Sequence, residues 1–430
     1  MTKTSRDRVE QALAAIADSR GEGGRACLSV YAEAARAAAD QATLRAKAGD
    51  RKGPLDGAII TVKDLFDVAG EVTRAGSRAL LKRGNPAAAD APVVRRLREA
   101  GAVIIGKTNM TEFAYSGIGA NPHFGTPGNP ADRARVPGGS SSGAAVAVGD
   151  GFCDIAIGTD TGGSTRIPAS FCGLVGFKPT ARRVPREGAF PLSFTFDSIG
   201  PIASSVADGA LADAILAGET PEPVRPADLA SLRFGVLQGR PLEGLDRIVA
   251  PAFERALAKL GPATCSDVSI GALDEMATIN ARGGVVPAEA YAIHRGLLAT
   301  AASEIDPNVR ERLQRAAGIS AADYILNLRD RGAAVAHMDS IFDAYDALVL
   351  PTTPIAAPLQ SEVATAEDFT NRNMLALRNP SIANFLDLCA VSLPIRLSNS
   401  LPCGLMLFGR HGDDRRLLAI AAAIEAKVAG

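Results

Sequence analysis

Runs of four or five apolar residues alternate with segments of helical spacing along most of the chain, and that alternation predicts the fold class. Residues 58–62 (Ala-Ile-Ile-Thr-Val) are the first such run and read as a buried strand. Residues 91–100 carry apolar side chains at helical spacing and stop at Gly101, a residue suited to a helix end. A second short strand follows at 102–106, then a helix at 144–148 and a strand at 153–157. The first 50 residues, alanine-rich with dispersed arginine and glutamate, read as helices. Helical patterns dominate again from 228 to 343, and strand patterns resume at 347–350 and 404–408. The expectation is an α/β fold: a large mixed, mostly parallel β-sheet covered by helices on both faces, with a helical insertion. One domain over 1–430 accommodates it: N-terminal helices over 1–50, a core over 51–215, a mainly helical insertion over 225–345 and the second part of the sheet over 346–430. Residues 221–226, rich in proline, are the linker-like stretch, and no internal repeat is visible.

Composition narrows the class. The 430 residues are 47% hydrophobic and 22% charged, enough apolar material for a large core. With 46 basic against 47 acidic side chains, the chain offers no global attraction to nucleic acid or to an anionic membrane. Six cysteines are scattered without CxxC pairs and read as reduced core thiols. The N-terminal segment has the charged amphipathic pattern of a helix rather than a signal peptide, and no uncharged apolar run is long enough to cross a membrane. A cytoplasmic location is expected.

The candidate chemistry sits in the glycine-rich tract over residues 137–173. It holds two Gly-Gly-Ser turns, with Ser140 and Ser164 lying 24 positions apart. Upstream, Lys63 closes the first apolar run. A serine hydroxyl is a poor nucleophile until a neighbouring base takes its proton. A lysine can be that base only when neutral, and burial at a strand end disfavours its charge. Alone, Lys63 would read as an exposed strand-end lysine paired with Asp64 or Asp67; the two serine turns favour the base. In Thr161-Gly162-Gly163, glycine lets successive amides turn toward one point and form an oxyanion hole beside Ser164. Asp160 and Arg166 bracket this turn and read as an ion pair that braces it, the alternative being Arg166 facing the pocket to bind a carboxylated substrate.

Three other chemistries fit less well. A phosphate loop would need GxxxxGK[ST], which is absent, and Gly117-Ile118-Gly119 lacks the third glycine of a dinucleotide fingerprint. Gly139-Ser140-Ser141-Ser142-Gly143 formally matches the GxSxG elbow with Ser141 as nucleophile, but residues 129–137 before it read as loop rather than strand. The four histidines show no metal-ligand spacing.

The tract resembles the signature of the amidase signature family, which runs from a Gly-Gly-Ser-Ser turn to a Gly-Gly-Ser-aliphatic-Arg-x-Pro turn. Thr165 departs from it, standing where an aliphatic residue is usual. The segments GKTNMTEFAYSG, FCGLVGFKPT, LPTTPIAAP and LPCGLMLFGR are also similar to the family, so the resemblance covers most of the chain and is weakest from about residue 216 to 342. It implies the amidase signature fold, Ser164 as nucleophile, Ser140 as bridging serine after a cis peptide bond, and Lys63 as base. It further implies that Ala114, Tyr115 and Gly117 line the acyl pocket, although Tyr115 reads equally well as a core aromatic. Arg378 and Asn379 are further pocket polars. No cofactor and no metal are implied.

The function that follows is an amidohydrolase cleaving the C–N bond of a small carboxamide or ureido-type amide to an acid and ammonia. The alternative is the glutaminase (A-type) subunit of a tRNA-dependent amidotransferase; Ile167 replaces the glutamine common there, and the chain is rather short for it. A catalytically idle scaffold would be expected to have lost one of the three residues, and all three are present. A low aromatic content of 5% points to a modest pocket. The expected partner is the small amide; a homodimer is compatible with the sequence and not specified by it.

Overall fold

The computed structural model describes residues 3–261 and 264–428, and its strands form one 11-stranded sheet. In chain order these are β1 (Cys27–Val30), β2 (Ile59–Lys63), β3 (Val103–Thr108), β4 (Ile155–Asp160), β5 (Val175–Lys178), β6 (Ser198–Ala203), β7 (Phe234–Leu237), β8 (Cys265–Val268), β9 (Ala347–Pro351), β10 (Cys389–Ile395) and β11 (Cys403–Gly409). Across the sheet they run β1-β3-β2-β4-β6-β5-β10-β11-β9-β7-β8.

The sheet is mixed, but the expected parallel majority is corrected. Strand β2 pairs in parallel with β3 and β4, and β7 with β8 and β9. The other six pairings are antiparallel. The reason lies in the connections. Parallel neighbours need a crossover of roughly a dozen or more residues, usually a helix. No helix occupies the link from β5 to β6 or from β10 to β11, and both pairs are antiparallel.

Alternating side chains send each strand into two cores. In the first half, Ile60 and Val62 of β2 pack with helices Pro92–Glu99 and Val206–Ala217, while Ile59 faces helices Ser5–Ala17, Ala32–Ala48 and Ser142–Gly149. In the second half, Ala347 and Val349 of β9 pack with helices Val249–Leu260 and Asp414–Val428. Leu348 and Leu350 face Ala272–Ala281, Ala321–Ala344 and Pro380–Phe385. Helix Ser142–Gly149 (SGAAVAVG) carries no charge and is buried from Ser142 to Val148, as that composition requires.

The N-terminal helical stretch also contains β1, and the mainly helical region 225–345 contributes β7 and β8 to the sheet. Among the described residues, no helix is long and apolar enough to cross a membrane.

Candidate active site

Strands β2 and β4 lie side by side in parallel, so their carboxyl ends share one edge of the sheet. Lys63 ends β2 and is fully buried. Its Nζ lies 2.7 Å from Ser140 Oγ and 2.9 Å from Thr159 Oγ1 at the end of β4. Burial pushes the lysine down to about 7 from the ordinary 10.5, even though Asp160 and Asp197 favour its charge. A neutral amine is therefore well populated near neutral pH, which ordinary lysines do not achieve.

Ser140 stands at the start of the loop that feeds helix Ser142–Gly149, and the Gly139–Ser140 peptide bond is cis. Gly139 is required by close approach: a Cβ there would come within 2.6 Å of the Gly119 amide nitrogen. The neighbouring Ser141 is fully buried, and its hydroxyl donates to the Thr159 carbonyl at 3.4 Å. Its side chain is thereby engaged within the protein, and the residues before it are loop rather than strand, so the elbow geometry is absent.

Asp160 organises the second turn. Its carboxylate accepts from the Gly163 amide at 2.8 Å, the Thr165 hydroxyl at 2.9 Å and Asn384 Nδ2 at 2.9 Å. Arg166 donates to it twice, from Nε at 3.0 Å and Nη2 at 2.9 Å, and both residues are fully buried. Arg166 also reaches the Pro380 carbonyl and Asn384 Oδ1, so its fork is spent on the protein. Burial works against the Asp160 charge, and the adjacent guanidinium outweighs it, holding the carboxyl well below the usual range. Thr165, the departure from the family pattern, supplies a hydroxyl that an aliphatic residue could not. Breaking a buried pair strands a charge. Asp160→Ala is therefore expected to cost about 3–5 kcal/mol of stability, readable by chemical denaturation.

Ser164 is nearly buried at the rim of a cavity of about 220 Å³ that Thr161 and Gly162 also line. The Ser141 amide donates to its carbonyl at 3.3 Å, which brings the two serine turns together. Among the described residues no hydrogen bond joins the Ser140 and Ser164 hydroxyls. The Gly163 amide is withdrawn from the expected oxyanion set because Asp160 holds it. The amides of Gly162 and Ser164 take part in no other hydrogen bond among the described residues, and both residues line the cavity. The Thr161 amide likewise takes part in no hydrogen bond among the described residues, and its hydroxyl donates to Asp197 at 2.6 Å.

Ala114 and Tyr115 line the cavity, whereas Gly117 does not. Gly117 is packed behind it, its amide on Asn373 Oδ1 at 2.8 Å and its carbonyl receiving the Gly139 amide. A Cβ at Gly117 would crowd Ile167 at 3.1 Å. Leu192, Phe196 and Phe385 make the remaining wall largely apolar. The cavity opens into a larger outer space of about 640 Å³ that shares Tyr115, Asn280, Arg312 and Leu377. Arg378 lines that outer space, and Asn379 does too, although it is buried, with Nδ2 on the Pro241 and Pro351 carbonyls.

Two functional candidates escape sequence reasoning. The Arg312 guanidinium stacks 4.1 Å over the Tyr115 ring and donates to the Tyr115 carbonyl at 2.7 Å, without a carboxylate partner among the described residues. Glu289, buried, accepts from the Ser193 hydroxyl, from the Thr195 amide at 3.1 Å and hydroxyl at 2.5 Å, and from Tyr324 at 2.8 Å. It thereby fastens the insertion to the loop carrying Leu192 and Phe196. Neither residue has a local motif.

The histidines stand apart from the serines. His123 meets Glu112 at 3.1 Å, and His294 stacks on Phe113 and, buried, falls to about 4. Among the described residues no three His, Cys, Asp or Glu gather as metal ligands would.

The family model described as Amidase matches residues 8–418. A 2-amino-5-chloromuconic acid deaminase from Comamonas testosteroni is 37% identical over 407 residues, covering 92% of this chain and 86% of that one. The A-type subunit of the glutamyl-tRNA(Gln) amidotransferase from Anaeromyxobacter dehalogenans is 36% identical, covering 98% and 92%. A solved amidase structure superposes with a TM-score of 0.85 at 35% identity, covering 99% of this chain and 96% of that one.

Proposed function

The chain belongs to the amidase family and is a hydrolase of amide C–N bonds, and from that premise we propose that it cuts a small carboxamide or ureido-type amide through an acyl-enzyme on Ser164. Ser164 Oγ attacks the carbonyl carbon while its proton passes to Ser140 and the Ser140 proton to Lys63 Nζ. The oxyanion forms against the amides of Gly162 and Ser164. On collapse the C–N bond breaks, the nitrogen takes a proton from Ser140, Lys63 refills Ser140, and ammonia leaves. Water then attacks the acyl carbon by the same relay and frees the acid. The leg from Ser164 to Ser140 closes when the Ser164 hydroxyl turns toward its neighbour, an adjustment typical of sites without substrate.

The observation that carries this reading is the buried contact of 2.7 Å between Lys63 and Ser140, with the lysine near 7, beside the cavity that holds Ser164. Ammonia release from a panel of simple amides, glutamine and biuret-like compounds by the purified chain tests it. No turnover together with no active-site labelling would leave an idle scaffold. Turnover of glutamine only with a partner protein would transfer the chain to the amidotransferase reading, which the Anaeromyxobacter relative supports. A cytoplasmic location belongs to the same proposal, and six unbridged cysteines are in keeping with it.

Every step uses protein groups, so activity should survive extensive dialysis against a chelator at the untreated rate. A loss restored by zinc would overturn the mechanism.

A further inference from the structure

The cavity at Ser164 opens past Tyr115, Arg312 and Leu377 into the outer space, whose wall carries Arg240, Arg312, Arg315 and Arg378. The carboxylate on that wall is Glu311, and it pairs with Arg315 at 3.5 Å. The whole chain is balanced, 46 basic against 47 acidic, so this excess is local. The other three arginines have no carboxylate partner among the described residues. Arg312 gives Nη1 to the Tyr115 carbonyl and stacks over that ring, which leaves Nε and Nη2 without a partner among the described residues. Arg378 donates to the Glu243 carbonyl at 2.6 Å and, weakly, to Asn379 Oδ1 at 3.4 Å. The Arg240 guanidinium has no hydrogen bond or ion pair among the described residues. Burial and the nearby Arg240 both weigh against the Arg378 charge, and Glu243 offsets them only in part. Cations that repel across a concave wall, with planar forks left open, match a carboxylate entering between them.

Their placement is graded. Arg312 touches both the inner cavity and the outer space, whereas Arg240 and Arg378 touch only the outer one. Resting on the acyl-enzyme reading above, we propose that the preferred substrate is an amide bearing two carboxylates, one held at Arg312 beside the reacting carbonyl and the second at Arg240 and Arg378. The apolar stretch between them, which includes Leu377 and Met276, takes the hydrocarbon that separates the two charges.

Binding by the full chain is measured calorimetrically with succinate, glutarate and adipate against butyrate, valerate and hexanoate. The expected result is at least one dicarboxylate binding about tenfold or more tightly than the monocarboxylate of equal length, with a clear optimum of length. Arg240→Gln and Arg378→Gln should each remove that preference and leave monocarboxylate binding unchanged, while Arg312→Gln weakens both series. Arg240 is exposed, so its variant tests the idea even if another fails to fold. Equal binding of the two series, or a preference indifferent to Arg240→Gln, overturns the proposal. Calorimetry needs no turnover. A dicarboxylate preference in a protein that hydrolyses nothing would sink the acyl-enzyme and keep the anion site, and the reverse outcome would do the opposite.

Discussion

Ser164→Ala is expected to lower turnover by roughly 10⁶-fold, the scale on which nucleophile deletion acts in serine hydrolases. A fluorophosphonate should label the parent protein on the peptide carrying Ser164 and leave the variant unmarked. Both effects follow from one arrangement. The hydroxyl lines the cavity beside two amides that no other bond occupies, and Asp160 pins the turn from behind. Ser140→Ala should keep the nucleophile in place yet lose most of the rate, because Lys63 would have no hydroxyl through which to draw the proton. Label found on Ser141 instead would be incompatible with this site, since that hydroxyl faces the Thr159 carbonyl.

Lys63 carries the second large effect. Its neutral form is the base, so turnover should rise from the acid side and level off above about 7. Lys63→Ala should remove that ascending limb with roughly 10⁴–10⁶-fold of the rate, and Lys63→Arg should not rescue it, because a guanidinium does not deprotonate. A variant with arginine and near-native turnover would mean that position 63 supplies only a fixed charge. Stability moves in the opposite sense. The folded pKa, about 7, lies below the unfolded 10.5. Above 10.5 neither state binds the proton; as pH falls toward 7 the unfolded chain binds it and the native one does not, so the native state is increasingly disfavoured. Below the folded value the penalty is constant, on the order of 5 kcal/mol. Lys63→Met, close in length and uncharged, should therefore gain in melting temperature over the parent most near pH 6, with the gain shrinking as the pH approaches 10.5. Equal margins across that span would indicate an ordinary lysine pKa at position 63.

What was legible in the sequence was what local chemistry dictates. Gly138 and Gly163 take positive φ and Gly139 has no room for a Cβ, so the glycines of the two serine turns mark backbone that other residues would strain, and the run ending in Lys63 announces a buried strand; the three residues proposed to react could be named from these signals alone. The sheet was legible only in part. β6 carries Gly200 and Pro201, which read against a strand, yet it lies inside the sheet; its ladder with β5 covers only Ile202 and Ala203, leaving Pro201 outside it. Strands β1, β5, β7 and β8 have four residues each, too short for alternation to stand out from surrounding helices. The Gly163 amide could not be known to be occupied, because that depends on which way the Asp160 carboxylate turns. Arg312 meets Tyr115 from 197 positions away, and no local pattern signals such a meeting.

The fastening of the insertion by Glu289 divides the labour of the molecule. Every protein atom that makes or breaks a bond in the proposed cycle comes from residues 63–164, whereas Arg312, Asn280 and Met276 on the cavity wall, and Glu289 and Tyr324 of the clasp that holds Leu192 and Phe196 over it, come from residues 276–324. The bond-making stretch also places Ala114 and Tyr115 on that wall, so exchanging residues 276–324 would change what the cavity admits only in part while leaving its proposed reacting groups in place.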